Sequence, residues 1–455
     1  MYPKTTMMPR LADASNLLKI ALPLILAQIA QVAMSFIDTV MVGRLGANEL
    51  AGIALGSTFF HFTTIFCSGI LLSLAPLVSQ AKGAGTLQSG IILVRHGLLL
   101  AFALAILAIV LFWNVEPLFE LMKQKEVASN LGSDYLRAIS WGFLPLLWFV
   151  CLRGLLEGSL ETRPVMIISL VGVGAKLLLN YLFIFGHWGF PVLGLVGAGY
   201  ATMLVEFLFF ILGLVYVSRR FAGQGLFKLA FSVRPVFEIL RLGLPIGVSL
   251  AFEAGLFGVT TFLMGTLGEL ELAAHQVANQ SVFLTFMVPL GIANATAVRV
   301  GTAMGKGATD EVKRFGRLGI GLCIVWMMFI ACAYWFVPRA VISLYFDVNK
   351  PANADIVRLA ISFLSIAALF QVFDGIQVST AAALRGLKDT RVPMLISLFS
   401  YWVVGMGSSL LLAFVVDLGG RGLWFGLVIG LATAAMLLSW RFHQKPLEGA
   451  KFEVK

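Results

Sequence analysis

Charge is scarce in this sequence. Of 455 residues, 12% are Asp, Glu, Lys or Arg, where a soluble globular chain carries about 25%. So little charge cannot clothe a water-facing surface, and no gap between apolar runs is long enough for a soluble domain. Cysteine is equally sparse. Cys67, Cys151, Cys323 and Cys332 all stand inside apolar runs, at no disulfide or metal-ligand spacing. They read as small packing residues. The five histidines, His61, His96, His187, His275 and His443, form no HxxxH, HExxH or Ser/His/Asp grouping, so the convergent polar groups of a membrane-embedded enzyme are missing. No GxxxxGK[ST] occurs, because Gly305-Lys306 is followed by glycine. The chain lacks its own ATP engine, and uphill work must draw on an ion gradient or a separate subunit. No cofactor is expected.

What the sequence has instead is apolar length. Hydrophobic residues make up 59% of it and the mean hydropathy is +0.93, which points to an all-α polytopic membrane protein. Twelve spans are expected, at roughly 17–42, 50–79, 92–115, 134–156, 165–186, 194–217, 238–266, 272–300, 316–338, 356–384, 393–416 and 422–440. The first apolar run, Ile20 to Ile37, is too long for the core of a cleaved signal peptide. With the N-terminus cytoplasmic, Lys and Arg favour the inner side by roughly three to one, which places both termini in the cytoplasm of a cell with an inner membrane. The net charge of +10 is therefore topology, and no nucleic-acid partner is expected. Trp113, Trp141, Trp188, Trp335 and Trp424 sit near the outer span ends, where an aromatic belt would lie.

The chain also repeats itself. Leu22 to Gly46 reads LPLILAQIAQVAMSFIDTVMVGRLG, and Leu244 to Gly268 reads LPIGVSLAFEAGLFGVTTFLMGTLG. A shift of 222 lays Pro23 on Pro245, Gly43 on Gly265 and Gly46 on Gly268, and puts Gln31 on Glu253. VSQAKGAG from Val78 matches VGTAMGKG from Val300, and LEGSLETRPVMIIS from Leu156 matches LRGLKDTRVPMLIS from Leu384. Six spans follow six in the same sense, a parallel repeat about an axis along the membrane normal. The expected organisation is an N-terminal lobe at 1–217, a cytoplasmic linker at 218–237 and a C-terminal lobe at 238–455. Two such lobes can expose a cleft between them alternately to either side.

Five charges fall inside spans: Asp38, Lys176, Glu206, Glu253 and Asp374. A charge at that depth is expensive and is the first place to look for function. Gln371 and Gln377 lie three residues to either side of Asp374 and share its helix face. Together with Glu253, Asp374 gives the second half two deep carboxylates, which in a dry cavity share a proton or bind a cation. They are the candidate Na+ site. Asp38 fits a proton relay or a substrate contact. Lys176 and Glu206, on neighbouring spans, read as a buried ion pair that Asn180 can join. Gln276, Asn279, Gln280 and Phe283 share a face of span eight and, with the abundant Phe and Met, suggest a cavity lining that repacks around varied apolar cations.

These segments, with NYLFIFGHWGFPVLGLVGAGYAT from Asn180 and FQVFDGIQVSTAAALRGLKDTRVPM around Asp374, resemble the multidrug and toxic compound extrusion (MATE) family, in its NorM-type bacterial branch. The resemblance implies two six-helix lobes in a V with a central cavity, and export of organic cations in exchange for Na+ or H+. It implies that Glu253 and Asp374 are the cation-coupling acids, that Asp38 is the first-helix acid linked to proton coupling or drug contact, and that Gln276 lines the drug cavity. Asn180, Asn279, Gln280, Phe283, Gln371 and Gln377 complete the expected cavity set. Phe370 stands where some members have Tyr, one turn before Asp374. The expected protein works as a monomer in the bilayer. The alternatives are a flippase for lipid-linked oligosaccharides, which calls for a basic cavity, a membrane enzyme, and a passive channel.

Overall fold

The computed structural model describes residues 11–121, 126–226 and 232–445. The terminal segments and part of the linker expected at 218–237 lie outside the described residues. In a bilayer every backbone polar group must find its partner within the protein, so an apolar chain of this kind folds as helices. In order they are α1 (Leu11–Gly43), α2 (Ala47–Leu71), α3 (Leu74–Gly83), α4 (Leu87–Trp113), α5 (Glu116–Leu121), α6 (Glu126–Ser140), α7 (Phe143–Gly158), α8 (Arg163–Phe185), α9 (Gly194–Arg220), α10 (Val233–Leu267), α11 (Glu269–Gly305), α12 (Thr309–Phe336), α13 (Pro338–Ile342), α14 (Ala354–Gly386), α15 (Arg391–Leu398), α16 (Gly407–Leu410) and α17 (Gly419–Gln444). No strand occurs among the described residues.

Among the described residues eleven helical stretches are long and apolar enough to cross a membrane, and α6 with α7, bent by 51° at their junction, makes a twelfth. Each of the twelve expected spans has its counterpart. α2 and α3 together form the second, and the stretch from α15 through π-helical turns to Val415 forms the eleventh. The helices overrun the apolar limits at several ends. α1 continues to Gly43, and α9 and α10 reach into the expected linker at Arg220 and Val233.

The repeat is visible in the backbone. Gly46 and Gly268 cap α2 and α11 with φ of 152° and 153°. A Cβ on either would meet the carboxylate of Glu49 or Glu271, at 2.7 and 2.6 Å respectively, and Glu49 and Glu271 are themselves one repeat apart. Leu160 and Lys388, also repeat-equivalent, both adopt left-handed turns, with φ of 62° and 57°. The acid that follows each is clamped by an arginine at the end of its half's last long helix: Glu161 by Arg220 at 2.8 Å, Asp389 by Arg441 at 3.0 Å.

By compactness the chain divides into two units. One spans residues 26–247. The other joins the start of α1, through Ile25, to the chain from Val248 onward. Both divisions fall inside helices, at positions 222 residues apart and two residues beyond a proline, Pro23 in α1 and Pro245 in α10. Within its unit the first stretch of α1 is held by Arg299, which donates to the Asn16 carbonyl at 3.2 Å, and by the Arg314–Asp13 pair at 3.1 Å. The first stretch of α10 packs on α2 so closely that a Cβ on Gly243 would lie 2.0 Å from the Ile70 carbonyl oxygen. Gly243→Ala is therefore expected to destabilise by about 1–3 kcal/mol or more. Gly258→Ala, on the same helix but with open space at its Cβ, is expected to be neutral or slightly stabilising. Detergent melting curves of the two variants check this.

The core of unit 26–247 centres on Phe112, packed edge-on to Phe143 with centroids 5.3 Å apart. The other core centres on Trp424, Phe363 and Phe370. That corrects one expectation. Trp113, Trp141, Trp188 and Trp335 are exposed as belt residues would be, but Trp424 is fully buried, because α17 turns that face toward His275 and the Phe rings.

Candidate functional site

Two clusters hold the deep charges, one in each unit. In the unit that begins at Val248, α14 supplies Gln371, Asp374 and Gln377, all buried on one face at three-residue spacing. Gln371 is pinned from two sides: its Nε2 donates to Thr285 Oγ1 of α11 at 2.6 Å and lies 3.4 Å from Tyr334 Oη of α12. The carbonyl oxygens of Gln371 and Gln377 are buried with no hydrogen-bond donor among the described residues. Tyr401 is buried beside Gln377 and Ser397, its hydroxyl forming no well-directed hydrogen bond, and it lies within electrostatic reach of both Glu253 and Asp374.

Glu253, half-buried on α10, and Asp374 act on one another electrostatically. Arg385 acts on Glu253 in turn. Arg385 follows Asp374 by three helical turns on the same face of α14. Two ionised carboxylates and one guanidinium leave a single negative charge, which one monovalent cation or one proton cancels. Hard carboxylate, amide and hydroxyl oxygens are the donors an alkali cation takes.

α11 crosses the same unit with two unlike sides. His275 and Ser281 face inward. His275 Nε2 meets Thr261 Oγ1 at 3.0 Å and its ring packs on Trp424, while Ser281 bonds Tyr345. Gln276, Gln280 and Phe283 are exposed and Asn279 is half-buried, so the four expected lining residues form one open stripe within this unit.

The second cluster belongs to unit 26–247. Asp38 of α1 pairs with Lys176 of α8 at 2.8 Å, with side-chain exposures of 14% and 2%. Asn180 Nδ2 donates to the same carboxylate oxygen at 2.8 Å, and Lys176 also donates to Thr202 Oγ1 of α9. Lys176 therefore bonds Asp38 directly, where the sequence suggested Glu206; Glu206 stays within its electrostatic reach. A cavity of about 480 Å³ runs along the C-terminal parts of α1 and α8, walled by Phe36, Ile37, Leu177, Tyr181 and Phe185 with Arg44 at its edge. Ile37 and Leu177 are the chain neighbours of Asp38 and Lys176.

Sequence reasoning missed Arg385, Tyr401 and Thr202. Arg385 falls one residue past the expected span end and reads there as a loop charge, although its eleven-residue spacing from Asp374 on one helix is visible in the sequence. The two hydroxyls carry no signal in an apolar run.

The MatE family profile matches this chain twice, over residues 23–182 and 245–411, and the two matches begin 222 residues apart. A probable multidrug resistance protein NorM of Deinococcus radiodurans is 43% identical over 439 residues, covering 96% of this chain and 97% of that one. The corresponding protein of Pseudomonas aeruginosa is 40% identical over 441 residues, covering 96% and 90%. The crystal structure of the eukaryotic MATE transporter AtDTX14 superposes with a TM-score of 0.87 at 19% identity, covering 96% and 97%. Paired matches to one profile, full-length relatives and a shared twelve-span fold agree: this chain is a multi-pass membrane protein of the MATE family, a family of transporters and not of enzymes.

Proposed function

We propose that the protein exports organic cations from the cytoplasm in exchange for Na+ or H+, by alternating access, with both termini on the cytoplasmic side of the inner membrane. The six-span halves 1–217 and 238–455, joined by 218–237, are its working parts, and one chain suffices. The similarity to proteins named for multidrug resistance supports the cargo class. One observation carries the coupling. Glu253 interacts electrostatically with both Asp374 and Arg385, and when both acids are ionised the three side chains carry a net charge of −1.

That deficit gives the exchange its logic. A coupling cation or proton neutralises the cluster, and so does a cationic cargo held nearby, and the two cannot both be held well. Gln371 and Gln377 supply neutral oxygens beside Asp374, while Gln276, Asn279, Gln280 and Phe283 offer amide and aromatic contacts to the cargo. Asn180 and Asp38 serve the other half.

Ethidium efflux from proteoliposomes or everted vesicles, with Na+ and pH gradients imposed separately, tests this reading. Efflux driven by one gradient and abolished by its collapse is expected. Downhill flux indifferent to both gradients would make the protein a passive channel and end the proposal.

A further inference from the structure

Four helices bring oxygen into one buried cluster in unit 26–247. α1 offers the Asp38 carboxylate, α9 the Thr202 hydroxyl and α8 the Asn180 amide. From α6, buried Tyr135 lies within electrostatic reach of Thr202 and of the Asp38 charge. Asn180 spends its NH2 on Asp38, which leaves its carbonyl oxygen buried with no donor among the described residues. A carboxylate, a hydroxyl and a free amide carbonyl within one buried cluster are oxygen donors of the kinds an alkali cation takes. What stands there is the Lys176 ammonium, 1% exposed, a compact charge with three donors and no acceptor. Glu206 of α9 lies within electrostatic reach of this ammonium.

We propose that Lys176 is a tethered cation seated in an alkali-ion site. Its ammonium holds the Asp38 carboxylate and the Thr202 hydroxyl, with the Asn180 amide on the same carboxylate oxygen, so this unit carries its positive charge on the chain and takes none from solution. A buried carboxylate stripped of its partner is costly, and the tether keeps the partner at full occupancy whatever the salt. If Na+ is the coupling ion, it then enters only at Glu253 and Asp374. That last clause rests on the proposed function; the filled cage does not.

The cage is tested by emptying it. In purified full-length protein carrying Glu253→Gln and Asp374→Asn, which silence the other cluster, Lys176→Met is expected to create a response to Na+. The unfolding midpoint should rise by about 4 °C between about 100 mM choline and the same concentration of Na+. Adding Asp38→Asn should remove the rise, and the background with Lys176 intact should show none. A folded Lys176→Met protein that gains no more from Na+ than its Asp38→Asn derivative overturns the proposal.

Should the methionine variant fail to fold, Lys176→Gln is read in the same way. Calorimetry with NaCl on protein with native Lys176 is an independent test. Asp38→Asn should leave the amount of Na+ bound per chain unchanged, and loss of a bound Na+ overturns the proposal. If protein with native acids binds no Na+ at all, the sodium form of the coupling at Glu253 and Asp374 fails, while the Lys176→Met arm still decides the cage.

Discussion

Glu253→Gln and Asp374→Asn are each expected to lower gradient-driven efflux roughly 100-fold, the upper range of measured site-to-site couplings, without loss of the folded protein. Each substitution keeps the shape of the side chain and removes one negative charge from a cluster that also holds Arg385. With one carboxylate neutral, the other balances Arg385 and no vacancy for a monovalent cation remains. Stability should hold or rise, because a neutral amide is cheaper at bilayer depth than a carboxylate. Efflux from proteoliposomes, read beside melting curves and monodispersity in detergent, separates the outcomes. Normal efflux by either variant would remove that residue from the exchange. Lost efflux together with a collapsed melting curve would assign it to folding instead.

The second large effect is reciprocal. If cargo and coupling ion compete for one charge deficit, saturating Na+ or protons should weaken binding of an organic cation by about 5–150-fold, and saturating cargo should weaken the ion by the same factor. The equality is thermodynamic and holds whichever residues carry it. Ethidium titrations at two Na+ concentrations and two pH values, paired with ion titrations at two ethidium concentrations, measure both sides of the cycle. An ion affinity indifferent to bound cargo would show that the two ligands use unconnected sites, and competition at Glu253 and Asp374 would be refuted.

Most of the architecture was legible because the membrane restricts what a chain can do. Bilayer-length apolar runs gave the spans, and a shift of 222 gave the repeat that recurs in Gly46 and Gly268 and, at a shift of 228, in Leu160 and Lys388 and in the Glu161 and Asp389 clamps. Glu253 and Asp374 were readable because a carboxylate in an apolar run is conspicuous. Their company was less so. Arg385 was hidden by a span boundary placed one residue short of it. Lys176 had two carboxylates within plausible reach, and the choice of Asp38 over Glu206 is made by the packing of α1 on α8, which no periodicity encodes. Trp424 lies close to one end of its span and reads in the sequence like a belt residue, but helix rotation decides whether such a ring meets lipid or core.

The proline-marked crossings in α1 and α10 have a consequence for genetic dissection. Severing the chain between Gly223 and Ser232 leaves each fragment holding the opening half-helix that completes the other fragment's bundle. Either fragment expressed alone would offer chaperones and proteases an unfilled groove and a stray amphiphile, whereas the two made together in one cell can trade those half-helices and reassemble. The two copies of the repeat each lend the other a part, and neither is expected to mature alone.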